Sequence, residues 1–185
     1  PCSRSQPQSQ PQSQTPLNTQ EAITVLNNDS QPKSTYSQWL DSIQLSSKHL
    51  QMMFENSYMD GLLNVLGDVI DTADDNNVDD NNVSCLPIRV FKQKNDSIFI
   101  YHDEKTWKII ENIEIELLTK TISKHIMDLF LEWQTINESK MHQEKFMSVY
   151  LEHVQKITGE KLTTEKIEQH IKPWLYKHLK TNFQG

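Results

Sequence analysis

LPIRVFKQKNDSIFIYHDEKTWKIIENIEIELLTKTISKHIMDLFLEWQ, residues 86–134, contains the change of hydrophobic period that decides the fold. Up to residue 110 the apolar residues come in short runs: LPIRVF (86–91), IFIY (98–101) and WKII (107–110). The polar clusters KQKNDS and HDEKT part them. Short β-branched and aromatic runs between turn-forming clusters predict a meander of two or three antiparallel strands. Pro87 has no amide to donate, which assigns the first strand to an edge. After residue 112 the period lengthens. Ile115, Leu118, Ile122, Ile126, Leu129, Phe130 and Trp133 recur at three and four, which predicts one long amphipathic helix over 113–136. So small a sheet is marginal alone and must lie on helices. The fold class is therefore α+β, mainly helical, with a two- or three-stranded antiparallel sheet packed on three to four helices.

Towards the C-terminus, Phe146, Val149, Tyr150, Val154 and Ile157 mark a second helix over 143–157, and Gly159 supplies its stop. Thr163 or Thr164 caps a third helix carrying Ile167 and Ile171. Pro173 ends or kinks it, or opens a final turn with Trp174, Leu175 and Leu179. This compact α+β domain spans residues 85–183. Before it, residues 37–70 form a helical segment. Trp39, Leu40, Ile43, Leu50, Met53 and Phe54 share roughly one face, and Ser46 and Ser47 mark a break. Tyr58, Leu62, Val65, Leu66 and Val69 then form a second stripe. Gly61 and Gly67 each weaken that second helix by about 1 kcal/mol relative to alanine. Amphipathic, glycine-weakened and flanked by polar segments, this stripe is the expected protein interface.

Residues 71–84 contain the duplication DDNNVDDNNV. Its aspartates suggest calcium, but the central glycine and the glutamate at position twelve of an EF-hand loop are missing. The segment reads as a solvated acidic linker. Residues 1–36 are rich in Gln, Ser and Pro, with QPQSQPQSQ at 6–14. EAITVL at 21–26 could turn a helix, but it offers little apolar surface against a chain entropy of about 1–2 kcal/mol per residue. The expectation is a disordered tail.

Charge is uneven. Residues 1–84 carry a balance of −8 and residues 85–185 one of +1, giving −7 for the chain. A duplex reader usually carries a clear positive excess, so any nucleic-acid contact must rest on a local patch. No run of 18 apolar residues predicts a membrane span, and the N-terminus lacks a signal-peptide pattern. Cys2 and Cys85 read as free thiols, which suits an intracellular location. Because Pro1 is not an initiator Met, the chain reads as a fragment.

Chemistry-bearing patterns are sparse. The seven histidines include no His-x3-His pair and the cysteines no CxxC, so no metal or cofactor is expected. There is no GxSxG, no Cys–His motif and no phosphate-cradling glycine loop, so neither catalysis nor a small-molecule substrate is expected. Phe99, Tyr101 and Trp107, ringed by Arg89, Lys92, Lys94, Lys105 and Lys108, could stack bases, and Lys172, Lys177 and Lys180 could contact phosphate. Core packing is the simpler role for those aromatics.

As an ordered set, Ser57–Tyr58 with Gly61, Pro87–Ile88, Ile100–Tyr101 with Asp103, Trp107, and Glu132–Trp133 matches a wider pattern. It resembles the C-terminal region of uncharacterised proteins of giant nucleocytoplasmic large DNA viruses, over about residues 50–157. Thr106 stands where that pattern has lysine, and the acidic insertion at 71–82 departs from it. Many such proteins carry a zinc finger and a coiled coil upstream, which implies a nucleic-acid-associated role. The resemblance supplies no catalytic residue. The resulting expectation is a non-enzymatic viral interaction or assembly module contacting a protein. The alternative is an accessory nucleic-acid-binding module.

Overall fold

The meander and the long helix form where the change of period places them. In the computed structural model, which describes residues 18–29, 31–76, 86–91, 97–159 and 162–182, β1 (Ile88–Val90), β2 (Ile98–Tyr101) and β3 (Trp107–Ile109) pair antiparallel in the order β1-β2-β3. β1 lies at an edge, as Pro87 required. The register sets Ile88 opposite Ile100 and Val90 opposite Ile98, so one sheet face is aliphatic. It packs into the main core with Ile115, Leu118, Ile122, Ile126 and Phe130 of α5 (Asn112–Ile136). The sheet and helix are tied at their junction. Glu114 accepts the Glu111 amide at 2.8 Å and the Lys108 ammonium at 2.6 Å.

Six further α-helices are described: α1 (Thr19–Asp29), α2 (Tyr36–Ser42), α3 (Ser47–Glu55), α4 (Tyr58–Asn76), α6 (Glu144–Thr158) and α7 (Thr164–Asn182). The serine break is real. A Thr35–Gln38 capping box starts α2, and Ser46 is the N-cap of α3. Gly159 ends α6 in the left-handed conformation (φ 59°), with the Tyr58 ring lying where a Cβ would project. α7 runs on through Pro173. Pro173 and Gln169 are both exposed, so water can serve the carbonyl that the missing amide leaves without a partner.

α4 lies at the centre. Leu62, Val65, Leu66, Val69 and Ile70 are buried among residues of α3, α5 and α7. The stripe expected to be an interface is therefore core, and only Tyr58 of that set is partly exposed. The sequence shows an amphipathic face but not what covers it. Gly61 is explained by the same packing: a Cβ there would come within 2.9 Å of Met53 Sδ and 3.1 Å of Met53 Cα.

Two boundaries also change. Residues 19–29 of the expected tail form α1. Its start is capped locally, since Asn18 Oδ1 accepts the Glu21 amide and Glu21 Oε2 accepts that of Asn18. Its apolar face is completed by residues some eighty positions away. The expected linker begins later than residue 71, because α4 continues to Asn76 and Asp71 meets His178 of α7 at 2.9 Å. The rest of that segment lies outside the described residues.

Leu66→Ala should lower unfolding free energy by about 2–5 kcal/mol, the range for emptying a buried leucine site, in urea denaturation. A loss below about 0.5 kcal/mol would contradict the central placement of α4.

Candidate functional site

Among the described residues, the cations expected to form a nucleic-acid patch do not converge. Arg89 and Phe99 are cross-strand partners and share a face. The Arg89 guanidinium is buried, donates to the carbonyls of Leu86 (2.8 Å) and Ile88 (3.0 Å), and sits 5.8 Å from the Trp107 ring centroid. Lys108 pairs in register with Ile100. It therefore projects from the opposite face, where it meets Glu114. Lys105 is exposed on the β2–β3 turn, beside Asp41 and Asp103 in a polar hollow of about 530 Å³. Lys92 and Lys94 lie outside the described residues. On α7, Lys172 shares a cleft of about 640 Å³ with Glu165 and Glu168, and the Lys180 ammonium lies over the Tyr176 ring at 5.4 Å. Lys177, five residues on from Lys172, points to another side of the helix. Phe99, Tyr101 and Trp107 do share one sheet face, but it is buried against Ala22 and Leu26 of α1.

One constellation has the composition of a hydrolytic triad. His49 Nε2 lies 2.9 Å from Asp68 Oδ2, and Ser46 Oγ lies 3.2 Å from His49 Nδ1. Its wiring is structural. His49 Nδ1 already accepts the Ser46 backbone amide at 2.9 Å, which occupies the lone pair a general base would need. With Nδ1 accepting, Nε2 carries the proton and donates it to Asp68. Lys48 also bonds Asp68, and these contacts hold its carboxyl below the usual carboxylate range, the Lys48 hydrogen bond being the main cause. Ser46 does not line the neighbouring hollow of about 320 Å³, which Trp39, His49, Asp68 and Thr72 border. The group fastens α3 to α4. A serine three residues before a histidine, just ahead of an apolar run, was the sequence signal for this cap.

Elsewhere, Asp103 accepts the Ser37 hydroxyl at 2.8 Å. Hydrogen bonds from Thr35 and Ser37 hold its carboxyl below the ordinary range, so the His102–Glu104 turn is fastened to the start of α2. Tyr36 donates to the Glu114 carbonyl at 2.9 Å, and burial raises its phenol pKa strongly. Among the described residues, no three His, Cys, Asp or Glu side chains gather as a metal site, and no helix is long and apolar enough to cross a membrane. Cys2 and Cys85 lie outside those residues.

His153 is the group that sequence reading missed. Its ring stacks on Phe54 at 3.6 Å and meets Trp133 edge-on at 5.2 Å, while Trp133 in turn stacks on Phe146 at 5.6 Å. His153 Nδ1 is buried without a hydrogen-bond partner. Desolvation lowers its pKa; Glu152 opposes the shift and Lys156 adds to it. The imidazole thus serves α6 as a neutral aromatic plate. The signal available was its place in the Phe146, Tyr150, His153 stripe.

No protein-family model matches this chain, nor does a curated protein or a solved structure.

The pH dependence of His153 follows from its lowered pKa. As pH falls below the ordinary 6.5, the unfolded chain takes up this proton before the folded chain does. His153 therefore erodes stability from about pH 6.5 down to its depressed folded value. Urea midpoints at pH 7.5 and pH 5 should differ less for His153→Phe than for the parent. Equal differences would show that the ring does not resist protonation.

Proposed function

We propose that the chain is a non-enzymatic interaction module that engages a protein partner through the outer face of α5. The observation that carries this reading is a set of three exposed aliphatic side chains on one side of a helix whose other face is core. Ile113, Leu117 and Leu131 are 53%, 47% and 52% exposed. Their spacings of four and fourteen residues keep them on one side of the helix, across about five turns. Between them lie Lys120, paired with Glu116, and the exposed Lys124 and Asp128. Ile113 and Leu117, four residues apart, have the spacing of helix-face anchors, and Leu131 extends the same side beyond the charged residues. Beside Leu131, a hollow of about 320 Å³ includes Thr135, Glu138 and Met141 and could take a partner side chain.

Two further points support the reading. Arg89 and Lys108 make internal hydrogen bonds on opposite faces of the sheet, which disfavours the nucleic-acid alternative. The triad-like group caps a helix, which disfavours hydrolysis at that site. The ordered motifs similar to those of giant-virus proteins support a viral origin for the module.

A photoreactive benzoylphenylalanine at Leu131, in the cells that make the protein, should give one adduct of discrete mass. Ile113→Asp with Leu117→Asp should abolish that adduct while leaving the unfolding midpoint within the small range usual for surface changes. Absence of any adduct would contradict the reading. So would tight oligonucleotide binding that falls steeply with salt, since that dependence marks phosphate contact.

A further inference from the structure

The exposed side of α5 has an order of residues that is nearly the same from either end. Lys124 stands at its centre. Lys120 and Asp128 lie four residues to either side, Leu117 and Leu131 seven, and Ile113 and Thr135 eleven; all are exposed. At 3.6 residues per turn these separations keep every one of them within about 40° of the direction of Lys124.

Both ends of this face offer aliphatic side chains. Ile113 and Leu117 form one end, and Leu131 with the hollow that Met141 borders forms the other. The Thr135 hydroxyl is turned back to the Leu131 carbonyl at 2.9 Å, so it needs no bond from a partner. The middle carries charges of both signs, Lys120 before Lys124 and Asp128 after it. Lys120 pairs with Glu116 of its own helix at 2.6 Å, whereas Lys124 and Asp128 have no ion pair among the described residues.

A face of this order fits itself when one copy is turned end for end. In an antiparallel pair with its two-fold axis through Lys124, residues equally far from Lys124 stand at the same level. Leu117 then meets Leu131 of the second copy. Ile113 reaches that copy's Thr135 and the hollow of about 320 Å³ beside it. Lys120 faces Asp128 of the second copy, and the symmetry repeats each contact. Only Lys124 meets its own likeness, and on each helix an Asp128 lies one turn away. A parallel pair would set lysine against lysine and Asp128 against Asp128, which is repulsive at each of these levels.

Taking this face as the interface proposed above, we infer that it binds a second copy of this chain, antiparallel about a two-fold axis through Lys124. A contact confined to one helix face is small against the roughly 800 Å² per partner of stable complexes. The dimer is therefore weak, and the face is open in the dilute chain.

Sedimentation velocity on the full chain should show reversible association from monomer to dimer as concentration rises to the order of a hundred micromolar. Asp128→Lys and Lys120→Asp should each weaken it at least about tenfold, because each places two like-charge pairs across the axis. Mixing the two variants should restore association, since the mixed dimer sets lysine against aspartate at both levels. Urea midpoints of the variants within the small range usual for surface changes would show that folding is intact. On the purified chain at the same concentration, benzoylphenylalanine at Leu131 should give an adduct of twice the chain's mass. A chain that stays monomeric, a dimer that ignores both charge reversals, or variants that mixing does not rescue would overturn the self-pairing. A monomeric chain that still gives an adduct with another protein in cells would overturn it and leave the α5 interface standing. Absence of any adduct would overturn both.

Discussion

The backbones of α3 and α4 meet at Gly61, so closely that a side chain there would strike both the sulfur and the Cα of Met53. That approach brings α4 into the middle of the molecule, with Leu62, Leu66 and Ile70 buried in the same core as Met53 and Phe54 of α3 and Leu175 and Leu179 of α7. The other contacts of α4 agree with this position. Tyr58 at its start lies on Gly159, the stop of α6. Asp68 takes the His49 and Lys48 bonds that fasten α3. Asp71 meets His178 of α7. Close packing of this kind makes the identity of each contact residue matter, because interiors leave little room to adjust.

The sheet adds a second layer of dependence. Its aliphatic face belongs to the main core and its aromatic face to the satellite cluster under α1. A three-stranded sheet with strands of three or four residues has little stability of its own. Burial on both faces is what holds it. The same arrangement goes with the burial of Arg89: it sits among the aromatics, and the Leu86 and Ile88 carbonyls accept from its Nη1.

Local pattern carried much of this fold. The strands, their order, the long α5 and the Gly159 stop follow from turn clusters, apolar period and backbone permissiveness, all of which act over a few residues. Relations between distant segments were not legible. The α4 stripe has the same periodicity whether a partner or α3 and α7 cover it, so its burial could not be read from residues 57–70. α1 was misread for the converse reason. Its two buried residues look insufficient until Phe99, Tyr101 and Trp107 supply the other side. At the candidate site, lysines adjacent in sequence or register were expected to act together. Strand alternation instead sends Arg89 and Lys108 to opposite faces, and Glu114 takes one of them. The bond from His49 to Asp68 and the His153 plate depend on partners from other helices, which spacing alone does not supply.

The apolar stripe of α4 lies inside, and Ile113, Leu117 and Leu131 on the outer side of α5 lie outside. Hydroxyl-radical footprinting of the intact, unliganded chain tests this division directly, since reactive aliphatic side chains are modified according to solvent access. Leu62, Val65 and Leu66 should remain unmodified under doses that label Ile113, Leu117 and Leu131 extensively. Labelling of the α4 leucines at rates equal to those of α5 would place that stripe at the surface and contradict both the central packing and the interface derived from it.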